Sequence, residues 1–131
     1  MPRRSRLALG LTLLVGAVIA VLTLTPISAP ELHAFRHTDK FYHAFAFGGL
    51  ALPVALFRPR WLIVAVPAYA VFGGLIEIIQ PFVGRECSLA DWIADLIGIA
   101  LGIVVGFATT SVVRLARQDR PRSLRLRAGI R

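Results

Sequence analysis

Charged side chains are scarce in four long stretches of this chain. Leu7–Thr25 has none, and Phe41–Phe57 has only His43 among its basic and acidic groups. Trp61–Val83 carries a single carboxylate, Glu77, and Trp92–Val113 carries only Asp95. A helix needs roughly 20 apolar residues to cross a bilayer core. Three of the runs meet that length and the second is slightly short. Each is apolar all round rather than along one stripe, which argues against a soluble bundle of amphipathic helices. The pattern predicts an all-α polytopic membrane protein: a bundle of four transmembrane helices over about 7–25, 41–57, 61–83 and 92–113, followed by a basic tail, 114–131.

Three connections join these helices. Pro26 to Lys40 contains two prolines and two histidines, Arg58-Pro59-Arg60 is a tight turn, and Gly84 to Asp91 closes the last hairpin. Arg3, Arg4 and Arg6 would suit a signal peptide. The apolar stretch is longer than a usual signal core, however, and Pro26-Ile27-Ser28-Ala29-Pro30 is a poor small-residue cleavage site. The first run is therefore expected to be a retained helix. With the amino end inside, the inner segments hold twelve of the basic residues and the outer loops hold three, Arg36, Lys40 and Arg85. That asymmetry predicts cytoplasmic amino and carboxyl ends.

Composition adds little that the pattern lacks. Only 17% of residues are charged, against about a quarter in a soluble domain. The net charge of +8 is mainly a topology signal. Nucleic acid is not an expected partner, because no aromatic residues interleave with the arginines. The tail arginines Arg114, Arg117, Arg120, Arg122, Arg125, Arg127 and Arg131 either attract anionic lipid head groups, at about 1 kcal/mol each, or serve as a disordered topology anchor. Cys87 stands alone, so no internal disulfide or redox pair is available.

Small residues recur every four positions on the fourth helix: Ala90, Ala94, Gly98, Gly102 and Gly106. That spacing puts them on one face, where neighbouring helices can approach closely. Gly48 and Gly49 on the second helix and Gly73 and Gly74 on the third suit the same end. Pro53 and Pro67 fall inside helices and are expected to kink them.

The remaining polar groups gather at one depth. Asp39 and Lys40 precede the second helix, with His43 one turn after Asp39. Glu77 and Gln80 share a face of the third helix. Glu77 lies six residues, roughly 9 Å, short of its expected outer end at Val83. Arg85, Ser88 and Asp91 follow in the loop, and Asp95 comes one turn into the fourth helix. Ionisable groups inside a membrane are costly and usually face the bundle interior. One reading is mutual neutralisation, in which Arg85 and Lys40 pair with Glu77, Asp91 and Asp95 and hold helix ends together. The other is a ligand-facing cluster. It is favoured by the excess of polar groups over any packing need.

These same residues carry a family resemblance. Asp39-Lys40-x-x-His43-x-x-x-Phe47, then Glu77-x-x-Gln80-x-x-x-x-Arg85-x-x-Ser88-x-x-Asp91-x-x-x-Asp95-x-x-Gly98, resembles the VanZ-like membrane protein family. The likeness runs from about Thr38 to Gly106, and the first helix matches in kind only. It implies a four-helix bacterial membrane protein of the cell envelope. The namesake of the family is associated with low-level resistance to the glycopeptide teicoplanin. One departure stands out, because an asparagine is expected near Asp95 where this chain has the aspartate itself. The added acid favours a proton- or metal-linked role.

Three functions are compatible with this sequence. In the first, the cluster Asp39, Lys40, His43, Glu77, Gln80, Arg85, Ser88, Asp91 and Asp95 binds the polar head group of a lipid-linked precursor or a lipoglycopeptide. Arg85 and Lys40 would engage phosphate or carboxylate. Glu77, Asp91 and Asp95 would accept hydrogen bonds from sugar or peptide groups. His43, Glu77, Arg85 and Asp91 would line the pocket, with the others in support. In the second, the chain is a membrane-embedded hydrolase or transferase. Glu77 and His43 are its candidate catalytic acid and base, Asp39 orients His43, and Arg85 stabilises negative charge. His43, Glu77, Asp91 and Asp95 could alternatively hold a divalent metal. No recognised metal or serine-nucleophile signature is present, so neither a metal nor another cofactor is assigned. In the third, the chain is a structural assembly partner or a transporter component. Its apolar inner half then requires an oligomer for any transport pathway.

Overall fold

A computed structural model of the chain describes residues 1–26 and 36–118. His33 of the first loop and the tail arginines from Arg120 onward lie outside the described residues. The elements are α1 (Arg3–Leu24), α2 (Arg36–Phe57), α3 (Leu62–Ile79) and α4 (Leu89–Gln118), with 3-10 turns at Pro59–Trp61 and Gln80–Val83. Among the described residues there is no strand. Four segments, Arg3–Leu24, Asp39–Phe57, Pro59–Val83 and Leu89–Gln118, are long and apolar enough to cross a membrane.

The helices run past the apolar limits expected for them. Hydropathy marks where charge begins, whereas a helix continues until its backbone hydrogen bonds are interrupted. No proline or glycine stands between Glu31 and Ala46, and α2 already begins at Arg36, so Asp39 and Lys40 are helical. α4 starts at Leu89, just after Ser88, whose carbonyl accepts the Asp91 N–H at 3.0 Å and the Trp92 N–H at 3.2 Å. Its far end reaches Gln118, three residues short of Pro121. α3 stops earlier than expected. Pro81 has no N–H to donate, and the chain tightens there into a 3-10 turn. Gly84 closes that turn at φ 80°, and the Arg85 N–H bonds the Gln80 carbonyl at 3.0 Å.

Packing centres on α2 and α4, which run in the same direction with α3 returning between them in sequence. A side-chain carbon built on Gly98 would collide with the Ala44 carbonyl, and one built on Gly102 with the Gly48 carbonyl. Ala44 and Gly48 are four apart, as are Gly98 and Gly102, so one register brings two small-residue pairs into backbone contact. A carbon on Gly106 would come within 2.5 Å of the Ala55 Cβ. The stripe on α4 is therefore a contact face, but it begins at Ala94, because Ala90 is exposed. Gly49 faces open space and has no part in it. Beside this seam lie the buried Phe47, Leu50, Val54 and Ile99, with Ile19 of α1 and Tyr69 and Ile76 of α3 packed on them. The outward faces are also apolar. Phe45, Ile63, Leu13 and Val104 are all exposed.

Replacing Gly102 with leucine is expected to force α4 away from α2. The cost should be about 3 kcal/mol or more, at the upper end of overpacking penalties. Gly49→Ala, in open space, should be neutral or mildly stabilising. Thermal melting of the two variants in detergent, beside size-exclusion profiles, checks the contrast. Equal melting temperatures would contradict the packing described here.

Candidate functional site

The α2–α4 register decides which polar groups meet. His43 precedes Ala44 and Asp95 lies three residues before Gly98, so the backbone contact at Ala44–Gly98 sets the two side chains against each other. His43 Nδ1 and Asp95 Oδ1 are 2.9 Å apart, and both side chains are buried, that of Asp95 completely. One turn toward the helix starts, Lys40 Nζ lies 3.7 Å from Asp91 Oδ1. Asp39 is half-buried beside it.

α3 closes the cluster from the third side. Glu77 and Gln80 are both buried there. Glu77 Oε2 accepts the Ser88 backbone N–H at 2.7 Å, which ties the carboxylate to the residue that starts α4. The Ser88 hydroxyl in turn accepts the Asp91 N–H at 3.3 Å. One turn back from Glu77, Gly73 leaves room for the Asp95 carboxylate. A side-chain carbon there would lie 2.7 Å from Asp95 Oδ2 and 3.2 Å from the Phe47 ring.

Three carboxylate oxygens at this centre are buried without a hydrogen-bond partner: Glu77 Oε1, Asp95 Oδ2 and Asp91 Oδ1. The last lies near the Lys40 ammonium. The other two are the unusual ones, since buried polar atoms are nearly always partnered.

Arg85 takes a different place from the one the sequence suggests. Its guanidinium donates to the Leu22 carbonyl at the end of α1, at 3.4 Å. Among the described residues no ion pair joins it to Glu77, Asp91 or Asp95. It ties the last turn of α1 to the α3–α4 loop. His43, Glu77, Ser88, Asp91 and Asp95 are brought together, Lys40 and Asp39 stand at the edge, and Gln80 supports the turn through its backbone carbonyl. Cys87 is exposed and free.

Two aromatic side chains have roles that the sequence does not reveal, although Phe47 stands in the motif quoted above. Trp92 donates its indole N–H to the Ala70 carbonyl at 2.9 Å, which locks α4 to α3 beside the cluster. Phe47 is fully buried against Phe72, with ring centroids 5.9 Å apart, and floors the site. An aromatic residue at a helix start and one inside an apolar run carry no local mark of such roles. At the opposite end of the bundle lies an apolar groove of about 370 Å³, lined by Leu9, Thr12, Val54, Trp61 and Tyr69 among others, with Arg60 at its edge.

No family model matches this chain, nor does any curated protein or solved structure. None of these comparisons supports the likeness to VanZ-like proteins.

Gly73→Ala is expected to displace the Asp95 carboxylate or the Phe47 ring and to cost about 1–3 kcal/mol. Gly74→Ala is the matched control. Its new carbon would rest 3.5 Å from Trp92 Nε1, an ordinary contact. Its stability should change by no more than about 0.5 kcal/mol, the range of benign substitutions. Melting curves of the two variants under identical detergent conditions decide the matter.

Proposed function

We propose that this chain is a multi-pass protein of the bacterial cytoplasmic membrane, with its amino end inside. On this reading the centre around His43, Glu77 and Asp95 faces the outer side and handles the polar head group of a cell-envelope or lipid-linked ligand. The observation that carries this reading is the pair of buried carboxylate oxygens, Glu77 Oε1 and Asp95 Oδ2, without hydrogen-bond partners. A network serving only as glue between helices gains modestly from each polar contact. It has no use for anionic oxygens left unsatisfied, which cost stability in an apolar interior. A site kept for a ligand does.

Several features support the rest of the reading. The four apolar helices and their exposed apolar faces suit a lipid surround. The basic residues sit chiefly at the end opposite the cluster, which favours a cytoplasmic location for that end. Lys40, 42% exposed at the rim and paired with Asp91, stands where a ligand phosphate or carboxylate would compete for it. The resemblance to the VanZ-like family makes a lipid-linked precursor or a lipoglycopeptide such as teicoplanin the first ligand class to try. An enzymatic reading uses the same residues, with Glu77 and His43 exchanging protons with the ligand. The closeness of His43 and Asp95 favours it, since an acid–imidazole pair is a common base arrangement.

Topology is tested by reporter fusions. Those at Arg58 and after Arg117 should read cytoplasmic, and one at Arg85 should read external. A cytoplasmic signal at Arg85 would overturn the orientation. Function is tested with Glu77→Gln, which keeps shape and removes charge. The variant should remain in the membrane at normal abundance, with a melting temperature near that of the parent. Cells depending on it should lose the parent's response to lipoglycopeptide. A loss of function that only tracks a loss of folded protein would return the cluster to a structural role.

A further inference from the structure

From the donor geometry we infer that His43, Glu77 and Asp95 form a binding site for one divalent transition-metal ion of the zinc or manganese class. One ligand atom from each of the three residues falls within 4.8 Å of the other two, and all three residues are buried. Ligand atoms around a tetrahedral ion with bonds of about 2.0–2.2 Å lie roughly 3.4 Å apart. Coordination requires these atoms to draw in from at most 4.8 Å to about 3.4 Å.

The acidic cluster alone would not carry this inference. The two unpartnered oxygens do. Glu77 is 4% exposed and uses Oε2 on the Ser88 N–H, which leaves Oε1 with no partner. Asp95 is wholly buried, uses Oδ1 on His43, and leaves Oδ2 with no partner. A cation coordinated by both carboxylates would give these oxygens a partner. The nearby cations are otherwise engaged, Lys40 with Asp91 and Arg85 with the Leu22 carbonyl.

The donor types narrow the ion. One imidazole nitrogen with two carboxylates suits zinc, manganese or ferrous iron. Calcium asks for six or more oxygens, and magnesium for a near-octahedral shell rich in water. The surroundings also fit a metal ligand shell. The Ser88 N–H holds the Glu77 carboxylate in place, and Asp39 and Asp91 each bring a carboxylate oxygen within 4.8 Å of a His43 ring nitrogen. Such outer contacts orient ligands and raise their basicity. Three protein ligands leave a coordination position open. That position would accept a phosphate or carboxylate oxygen, and this deepens the head-group reading above and depends on it. Ion binding itself rests only on the three side chains.

The test uses the full chain purified in detergent and stripped with chelator. Addition of Zn2+ should load one ion per chain and raise the melting temperature by mass action. Glu77→Gln and Asp95→Asn should each weaken Zn2+ binding by at least about a hundredfold, the upper range for disturbing even an outer ligand contact. Replacing His33 and His37 should leave it unchanged. Should the site variants fail to fold, Co2+ loaded into the parent chain gives a separate readout, the visible absorption of a nitrogen- and oxygen-ligated ion. Absence of Zn2+ loading and of a melting shift in the parent overturns the proposal, as does loading that vanishes with His33 and His37. Stoichiometric Zn2+ binding with no phenotype for Glu77→Gln sustains the metal site and removes the head-group function. A Glu77→Gln phenotype in a chain that binds no Zn2+ does the reverse.

Discussion

Backbone contact between α2 and α4 is the constraint on which the rest depends. Gly98 against Ala44 and Gly102 against Gly48 bring the helices closer than any side chain would allow. In a lipid surround, apolar side chains gain nothing by leaving one hydrocarbon for another, so close van der Waals approach becomes a main source of helix association. The contact also fixes a register. A slip by one residue on either helix would put side-chain carbon where carbonyl oxygen now sits. The same register sets His43 against Asp95 and Lys40 beside Asp91, so packing and chemistry have one geometric origin.

The energetic character of the two halves differs accordingly. Toward the Arg58 end the bundle is held by apolar packing and small residues. Toward the Ser88 end, charged and polar groups from three helices share a small volume. The protein gives that end mechanical support from several sides: the Trp92 indole on the Ala70 carbonyl, the Glu77 carboxylate on the Ser88 N–H, and the Arg85 guanidinium on the end of α1. The Trp92 bond is an ordinary neutral one worth about 1 kcal/mol net, the bond to the Glu77 carboxylate is stronger, and the Arg85 contact, exposed and long at 3.4 Å, adds least. The Ser88 bond fixes the Glu77 carboxylate itself, and the other two fix the helix ends around it.

Much of the architecture is legible in the sequence because the signals are long. Long charge-poor runs mark the four helices, and a four-residue repeat of small side chains marks the contact face of α4. The gathering of polar groups can also be read, since Asp39 and His43, or Asp91 and Asp95, share faces by spacing alone. What spacing does not encode is the partner. Nothing local tells Arg85 to bond a carbonyl of α1 instead of a carboxylate, or tells the α4 stripe to choose α2 over α3. Ala90 carries the same spacing as Gly98 and yet is exposed, which the repeat alone does not foretell. Helix limits were blurred for a related reason: hydropathy reports the solvent a residue prefers, whereas capping and proline report where the backbone can continue.

The pairing of two helices that are not neighbours in the chain has a consequence for biogenesis. During synthesis α2 emerges long before α4, and its small-residue face has no mate until α3 has been threaded back and α4 has followed. His43 must wait equally long for Asp95. A nascent chain stopped after the third helix would expose both a bare glycine seam and an unaccompanied imidazole to the lipid. Assembly is thus gated by the arrival of the last segment. Truncated or stalled products would present membrane quality control with a defect it could recognise.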